Sequence, residues 1–137
     1  MIVVLDTNIL IELDAGNESV RLAVEKIKGR FPHGAAIAFA TFSEYWYGTL
    51  HKPKSFQDET LDWLRSFVLL NSSERSSRMF AELKSMQKRL GRNIPLFDLL
   101  IASVVMDNNA TLLSTDPHFQ EIKGLQFILL KGDRIED

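Results

Sequence analysis

The sequence contains no cysteine. Disulfides, thiolate zinc sites and a cysteine nucleophile are therefore excluded. Histidine is scarce, with only His33, His51 and His118, and no two of them have the spacing of a metal-ligating helix pair. A basic excess is also lacking. The net charge is −2, which argues against a passive nucleic-acid binder but leaves room for an enzyme with a local basic patch. No apolar run approaches the length of a membrane span. The opening Met1–Leu5 is too short for a signal peptide and is cut by Asp6, so a cytoplasmic location with no membrane partner is expected. No repeat, linker or low-complexity stretch is visible.

The 137 residues suit one domain, 45% hydrophobic and 25% charged, which is a globular balance. Ile2-Val3-Val4-Leu5 reads as a buried strand. A helical stripe runs from about Asn17 to Lys28 through Val20, Ala23, Val24 and Ile27. Residues 35–39 form a second apolar strand, followed by a helix from about Phe42 to His51. Another helix opens at Ser55, and Val68-Leu69-Leu70 is a third short strand. An amphipathic helix spans Ser73 to Leu90 and stops at Gly91. The next, about Leu96 to Met106, is apolar nearly all round and is expected to be the most buried. Strands follow at 111–114 and 126–130. This alternation predicts an α/β fold of βαβ units on a mostly parallel sheet. Residues 1–131 are expected to be the domain, and residues 132–137 a frayed polar tail.

Four acidic residues occupy equivalent places. Asp6 and Asp116 follow strands, Glu44 sits in the first turn of the helix after the second strand, and Asp98 starts the buried helix. In a parallel sheet the strand carboxyl ends and helix amino ends share one edge, where ligands bind. Each acid also has a plain structural reading. Asp6, Asp98 and Asp116 suit helix caps, Pro117 fits the position after a cap, and Thr41-x-x-Glu44 matches a capping box. Capping, however, requires no shared pocket. Clustered carboxylates repel, and a divalent cation with oxygen ligands offsets that cost. Such an ion acidifies a bound water and stabilises charge on a phosphate. Asn8 is placed to orient Asp6, and Thr7 and Ser114 put hydroxyls on the same edge.

In this setting the motifs resemble those of PIN-domain ribonucleases, including VapC-type toxins. Asp6-Thr7-Asn8 is similar to their opening motif. Thr41-x-x-Glu44-x-x-x-Gly48 is similar to the second, Pro95 to Ala102 with Asp98 to the third, and Ser114-Thr115-Asp116-Pro117-His118-Phe119 to the fourth. Ser114 stands where Thr is usual, and Asp107-Asn108-Asn109 where Gly is common. The resemblance implies that Asp6, Glu44, Asp98 and Asp116 ligate Mg²⁺ or Mn²⁺ for RNA phosphodiester hydrolysis to a 3′-hydroxyl and a 5′-phosphate. It further implies a three-layer α/β/α sandwich, a homodimer and a small antitoxin partner.

Lys84, Lys88, Arg89 and Arg92 lead toward Asp98. Lys84, Lys88 and Arg92 have the spacing of one helix face, and Lys88 and Arg92 are the candidates for an RNA phosphate track, with a solvated face as the plain reading. Aromatics gather at Phe39, Phe42, Tyr45, Trp46 and Tyr47, with Phe56 and Trp63 nearby. Phe42 and Trp46 are expected to face the core. Tyr45 and Tyr47 are candidates for a groove that takes an antitoxin helix or a dimer contact. The alternative to an enzyme is a non-catalytic PIN-like module that binds RNA or protein. A haloacid-dehalogenase-type phosphatase would need Asp at position 8, and a dinucleotide binder would need a glycine-rich turn after the first strand. The sequence has neither.

Overall fold

Side chains on successive strand residues point to opposite faces, and in this chain both faces are apolar. On β1 (Val3–Leu5), Val4 joins one buried cluster and Val3 and Leu5 the other. The computed structural model describes residues 1–136 and builds a six-stranded sheet on that pattern. The strands are β1, β2 (Ala35–Ala38), β3 (Val68–Leu70), β4 (Thr111–Ser114), β5 (Phe127–Lys131) and β6 (Arg134–Glu136), in the order β3-β2-β1-β4-β5-β6. All neighbours are parallel except β5 and β6.

The helices are α1 (Thr7–Asp14), α2 (Glu18–Lys28), α3 (Phe39–Thr49), α4 (Lys54–Arg65), α5 (Glu74–Arg89) and α6 (Leu96–Asp107). One helical layer is built from α5 and α6, whose Leu83, Leu99, Ala102 and Val105 pack on Val4, Ala36 and Leu112. The other is built from α1, α2 and α4, with Ile9, Leu10, Val24, Ile27 and Leu64 around Val3, Leu5, Ile37 and Leu113. Helix α3 contributes to both: Ala40 belongs to the first cluster, while Phe42, Tyr45 and Trp46 pack against the second. The expected three-layer α/β/α sandwich is the observed fold.

Helix α6 is the apolar helix expected, with Leu99 and the run Ile101–Val105 buried. Its end is set by Asn109, the described non-glycine residue with positive φ (53°), a conformation that asparagine tolerates. Helix α5 starts at a true capping box between Ser73 and Ser76 and stops at Gly91, φ 66°.

One element is added to the expected set and two local expectations are corrected. Helix α1, which the sequence pattern does not delimit, follows β1 directly and buries Ile9 and Leu10. Helix α3 begins at Phe39, three residues early, because Ala38 is its N-cap. The tail expected to fray forms β6 over Arg134–Glu136. A turn at Gly132 (φ 60°) and Asp133 folds it back on β5, pairing Lys131 with Arg134. Its polar composition is that of a charged edge strand, with Lys131 and Arg134 near Glu136 and Ile135 turned to the core. Asp137 lies outside the described residues.

Candidate active site

The chain leaves β1 for β2 on one side and later returns to place β4 on the other. The crevice beyond the strand carboxyl ends at such a reversal is where parallel sheets bind ligands. Asp6 follows β1 and Asp116 follows β4, so both stand at the reversal.

Asp6 is 3% exposed. It occupies the N-cap position of α1, but its side chain makes no capping bond there. Ser114 Oγ donates to Asp6 Oδ2 at 2.6 Å instead. Burial raises the Asp6 carboxyl to about 6, against the lowering effect of hydrogen bonds from Ser114 and the Thr7 backbone, and the charges of Glu44 and Asp116 add to the rise. Asp98 is the third residue of α6, where Pro95 holds the cap position, so it does not act as an N-cap. It is half-buried and also raised to about 6, by burial first and then by Asp6, Asp116 and Glu44. Asp6 thus feels the charge of Glu44 and Asp116, and Asp98 that of Asp6, Asp116 and Glu44, which separate caps would not require.

Glu44 is not in the first turn of α3, since that helix starts at Phe39. Thr41 is likewise inside the helix and fully buried, so the expected capping box does not form. The Glu44 carboxylate is thereby left free for Thr7, whose Oγ1 donates to its Oε1 at 2.8 Å and lies 3.2 Å from the Thr41 hydroxyl. Asp116 does cap. Its Oδ1 accepts the His118 backbone N–H at 2.9 Å and stands 2.9 Å from His118 Nδ1. Capping and membership of the cluster are compatible for this residue. Asn8 is exposed, and among the described residues no hydrogen bond joins its side chain to Asp6. The orienting position expected for Asn8 belongs to Ser114 and Thr7.

No lysine or arginine pairs with any of the four carboxylates among the described residues. Nor, among those residues, do any three or more His, Cys, Asp or Glu side chains stand placed together to hold a metal ion. The donor set is hard oxygen, anionic and uncompensated. It fits a cation such as Mg²⁺ that keeps several waters and takes further ligands from substrate phosphate, and it does not fit an all-protein cage.

One cleft adjoins this site, of about 230 Å³, where Thr7, Glu44 and Tyr45 stand with Ile11, Lys52 and Phe56. Lys84, Lys88 and Arg92 line another of about 310 Å³ with Leu96 and Leu99 of α6, and none of the four acids is among its lining residues. Arg92 lies beyond the end of α5, so the basic residues share a cleft rather than a helix face. A larger cleft of about 530 Å³ between α2 and α4 contains none of the four acids. Phe42 and Trp46 are half-buried against the core as expected, Tyr45 is half-buried edge-on to Trp63, and Tyr47 is 78% exposed. No described helix is long and apolar enough to cross a membrane.

An α/β sheet with acids at its reversal defines a class of α/β proteins whose ligand site lies beyond the strand carboxyl ends. Within it, the PIN domain model matches residues 3–125, and the chain belongs to that family. No curated protein matches the chain. Among solved structures it is similar to VapBC2 from Rickettsia felis bound to a promoter DNA fragment, with 25% identity and a TM-score of 0.82 over 96% of this chain and 100% of that one. It is also similar to VapBC-1 from nontypeable Haemophilus influenzae, with 26% identity and a TM-score of 0.81 over 93% of this chain and 96% of that one. The DNA-bound VapBC of Salmonella typhimurium, 16% identical with a TM-score of 0.79, shares the fold over 93% of this chain and 96% of that one.

Proposed function

We propose that the chain is an endoribonuclease, the toxin of a toxin–antitoxin pair, and that Asp6, Glu44, Asp98 and Asp116 hold Mg²⁺ or Mn²⁺. The observation that carries this is the convergence of the acids in a PIN domain, with Asp6 and Asp98 both raised to about 6, by burial first and then by the charge of their acidic neighbours. The ion, when bound, supplies a Lewis acid that acidifies water and neutralises carboxylate and phosphate charge. The rest of the chemistry lies with the chain. Asp6, fixed by Ser114, and Glu44, fixed by Thr7, present oxygens whose direction is set before substrate arrives. Water attacks phosphorus and the bond to the 3′-oxygen breaks, leaving a 5′-phosphate and a 3′-hydroxyl. The test is cleavage of labelled RNA with Mn²⁺. Wild-type protein cuts it and Asp6→Asn does not; equal cutting by both overturns the reading.

The VapBC structures are of toxin–antitoxin pairs, and this chain carries a surface suited to such a partner. Ile11, Tyr47, Leu50 and Phe56 are exposed around the cleft that Glu44 shares. An antitoxin helix with apolar anchors would cover them and obstruct the acids. A homodimer is also proposed, with its mass in solution as the measurement. The protein is assigned to the cytoplasm.

A further inference from the structure

Gly48 lies in the last turn of α3, two residues before the C-cap Leu50, where the chain is still helical and glycine is a poor helix former. Nothing within the fold asks for it. Its φ is not positive, and a Cβ built there would meet no atom within 4 Å. A glycine in such a place suits the close approach of something from outside. Gly48 lines the cleft shared by Glu44 and Thr7, one turn of α3 beyond Glu44. Phe56 of α4 lines the same cleft, 38% exposed and with no aromatic ring partner among the described residues. The Lys52 ammonium lies 5.6 Å from the centre of that ring, and no carboxylate pairs with Lys52 among those residues. Of the acids in the cleft, Asp14 is engaged by the Tyr45 hydroxyl and Glu44 by Thr7. The charge left without a bonded partner is that of Lys52. At about 230 Å³ the cleft takes a group smaller than a drug-sized ligand, such as one nucleobase.

We propose that this cleft binds one nucleotide of single-stranded RNA beside the scissile phosphate, its base stacked on Phe56, its phosphate on Lys52 and its sugar–phosphate backbone passing over Gly48. The inference rests on the ribonuclease reading and deepens it. Every base has a π-face, so stacking on Phe56 accepts all four bases. Lys52 supplies charge that positions the strand without reading it. Because Glu44 lines the cleft, a nucleotide seated there brings the next phosphate to the acids. The cation stands where a phosphate needs it, and a peptide would gain nothing from it unless it were acidic. The apolar rim at Tyr47 and Leu50 borders the same glycine, so RNA and a protein partner on that rim would exclude one another.

The experiment measures binding without cleavage, with a fluorescent oligouridylate in EDTA, on wild-type protein, Phe56→Leu, Phe56→Tyr, Lys52→Ala and Gly48→Ala. Phe56→Leu should bind about tenfold more weakly and Phe56→Tyr as wild type does, because only an aromatic face stacks. Phe56→Leu should keep the slope of log affinity against log salt, whereas Lys52→Ala should reduce it by about 0.7. Gly48→Ala places a methyl group in the path of the strand and should weaken binding about fivefold or more. Its melting temperature should not fall, since alanine is the better helix former. Phe56 and Lys52 are exposed, so their variants should melt as wild type does. Wild-type affinity in Phe56→Leu overturns the subsite and leaves the cleft to a protein partner. Equal losses in Phe56→Leu and Phe56→Tyr, or an unchanged slope in Lys52→Ala, also overturn it. RNA cleavage by wild-type protein with Mn²⁺ alongside any of these results discards the subsite alone. Neither cleavage nor binding by wild-type protein discards the ribonuclease reading with it.

Discussion

Ser114 and Asp6 are 108 residues apart in sequence and 2.6 Å apart in the fold, hydroxyl to carboxylate. The same hydroxyl oxygen accepts the backbone N–H of Asp116 at 3.0 Å. One fully buried side chain therefore couples the acid after β1 to the loop carrying the acid after β4. Ser114→Ala removes both bonds and strands a buried carboxylate. Stability should fall by about 1–3 kcal/mol, read by chemical denaturation. Metal-dependent cleavage should fall about 10- to 100-fold, as for other residues that orient metal ligands. Ser114→Thr keeps the hydroxyl and should retain most activity.

The raised carboxyl of Asp6 makes a prediction about pH. The folded protein holds that proton up to about pH 6, whereas the ordinary value is 3.8. Ionised Asp6 therefore costs the fold nothing below pH 4, a growing amount between 4 and 6, and up to about 3 kcal/mol above 6. Asp6→Asn removes that penalty. In EDTA at pH 7 the variant should melt higher than wild type, and the gap should close as pH falls to 4. Mn²⁺ at pH 7 should raise the melting temperature of wild type and leave that of Asp6→Asn nearly unchanged. A gap that is the same at pH 7 and pH 4 would mean that Asp6 ionises freely in the fold.

The five inner strands and the buried helix were legible because they depend on local pattern: a β-branched run for β1, a short apolar run for β2, and an all-apolar stretch for α6. Helix α1 was not, since its eight residues start straight from a strand and carry Asn8, which looks like a turn residue. The acids themselves were visible as polar residues at strand ends. Their partners were not: Ser114 meets Asp6 only through the adjacency of β1 and β4, a long-range pairing that local spacing does not encode. Asn8, two residues from Asp6, was the plausible local choice, and the helix turns it to solvent. Gln87 shows the same limit: it is buried on α5, and that its Oε1 has no hydrogen-bond partner among the described residues is a property of the packed fold.

Thr7 and Glu44 form the second preset pair, at 2.8 Å. Thr7→Val conserves the shape and removes the donor. Because Thr7 is only half-buried, stability should change by about 1 kcal/mol or less. The Glu44 carboxylate then loses its fixed direction, and Mn²⁺ affinity measured by calorimetry should weaken about tenfold or more. Thr7→Ser should restore it. If Thr7→Val binds Mn²⁺ as wild type does, Glu44 needs no orienting hydroxyl, and its bond to Thr7 serves only to join α1 to α3.

The basic cleft can be tested directly, because phosphate contacts carry a salt signature. Each phosphate neutralised on a single strand contributes about 0.7 to the slope of log affinity against log salt. Lys84 and Lys88 are exposed on α5, and Arg92 stands just beyond it at the same cleft. Lys88→Ala with Arg92→Ala should weaken RNA binding for every sequence and reduce the slope by about 1.4 if both residues meet phosphates. Arg92 also holds the Glu121 carbonyl, so Lys88→Ala alone, with an expected loss of about 0.7, separates the electrostatic effect from a disturbed loop. An unchanged slope in both variants would make the cationic side chains a solvated surface, and the path of the RNA to Asp98 would have to run elsewhere.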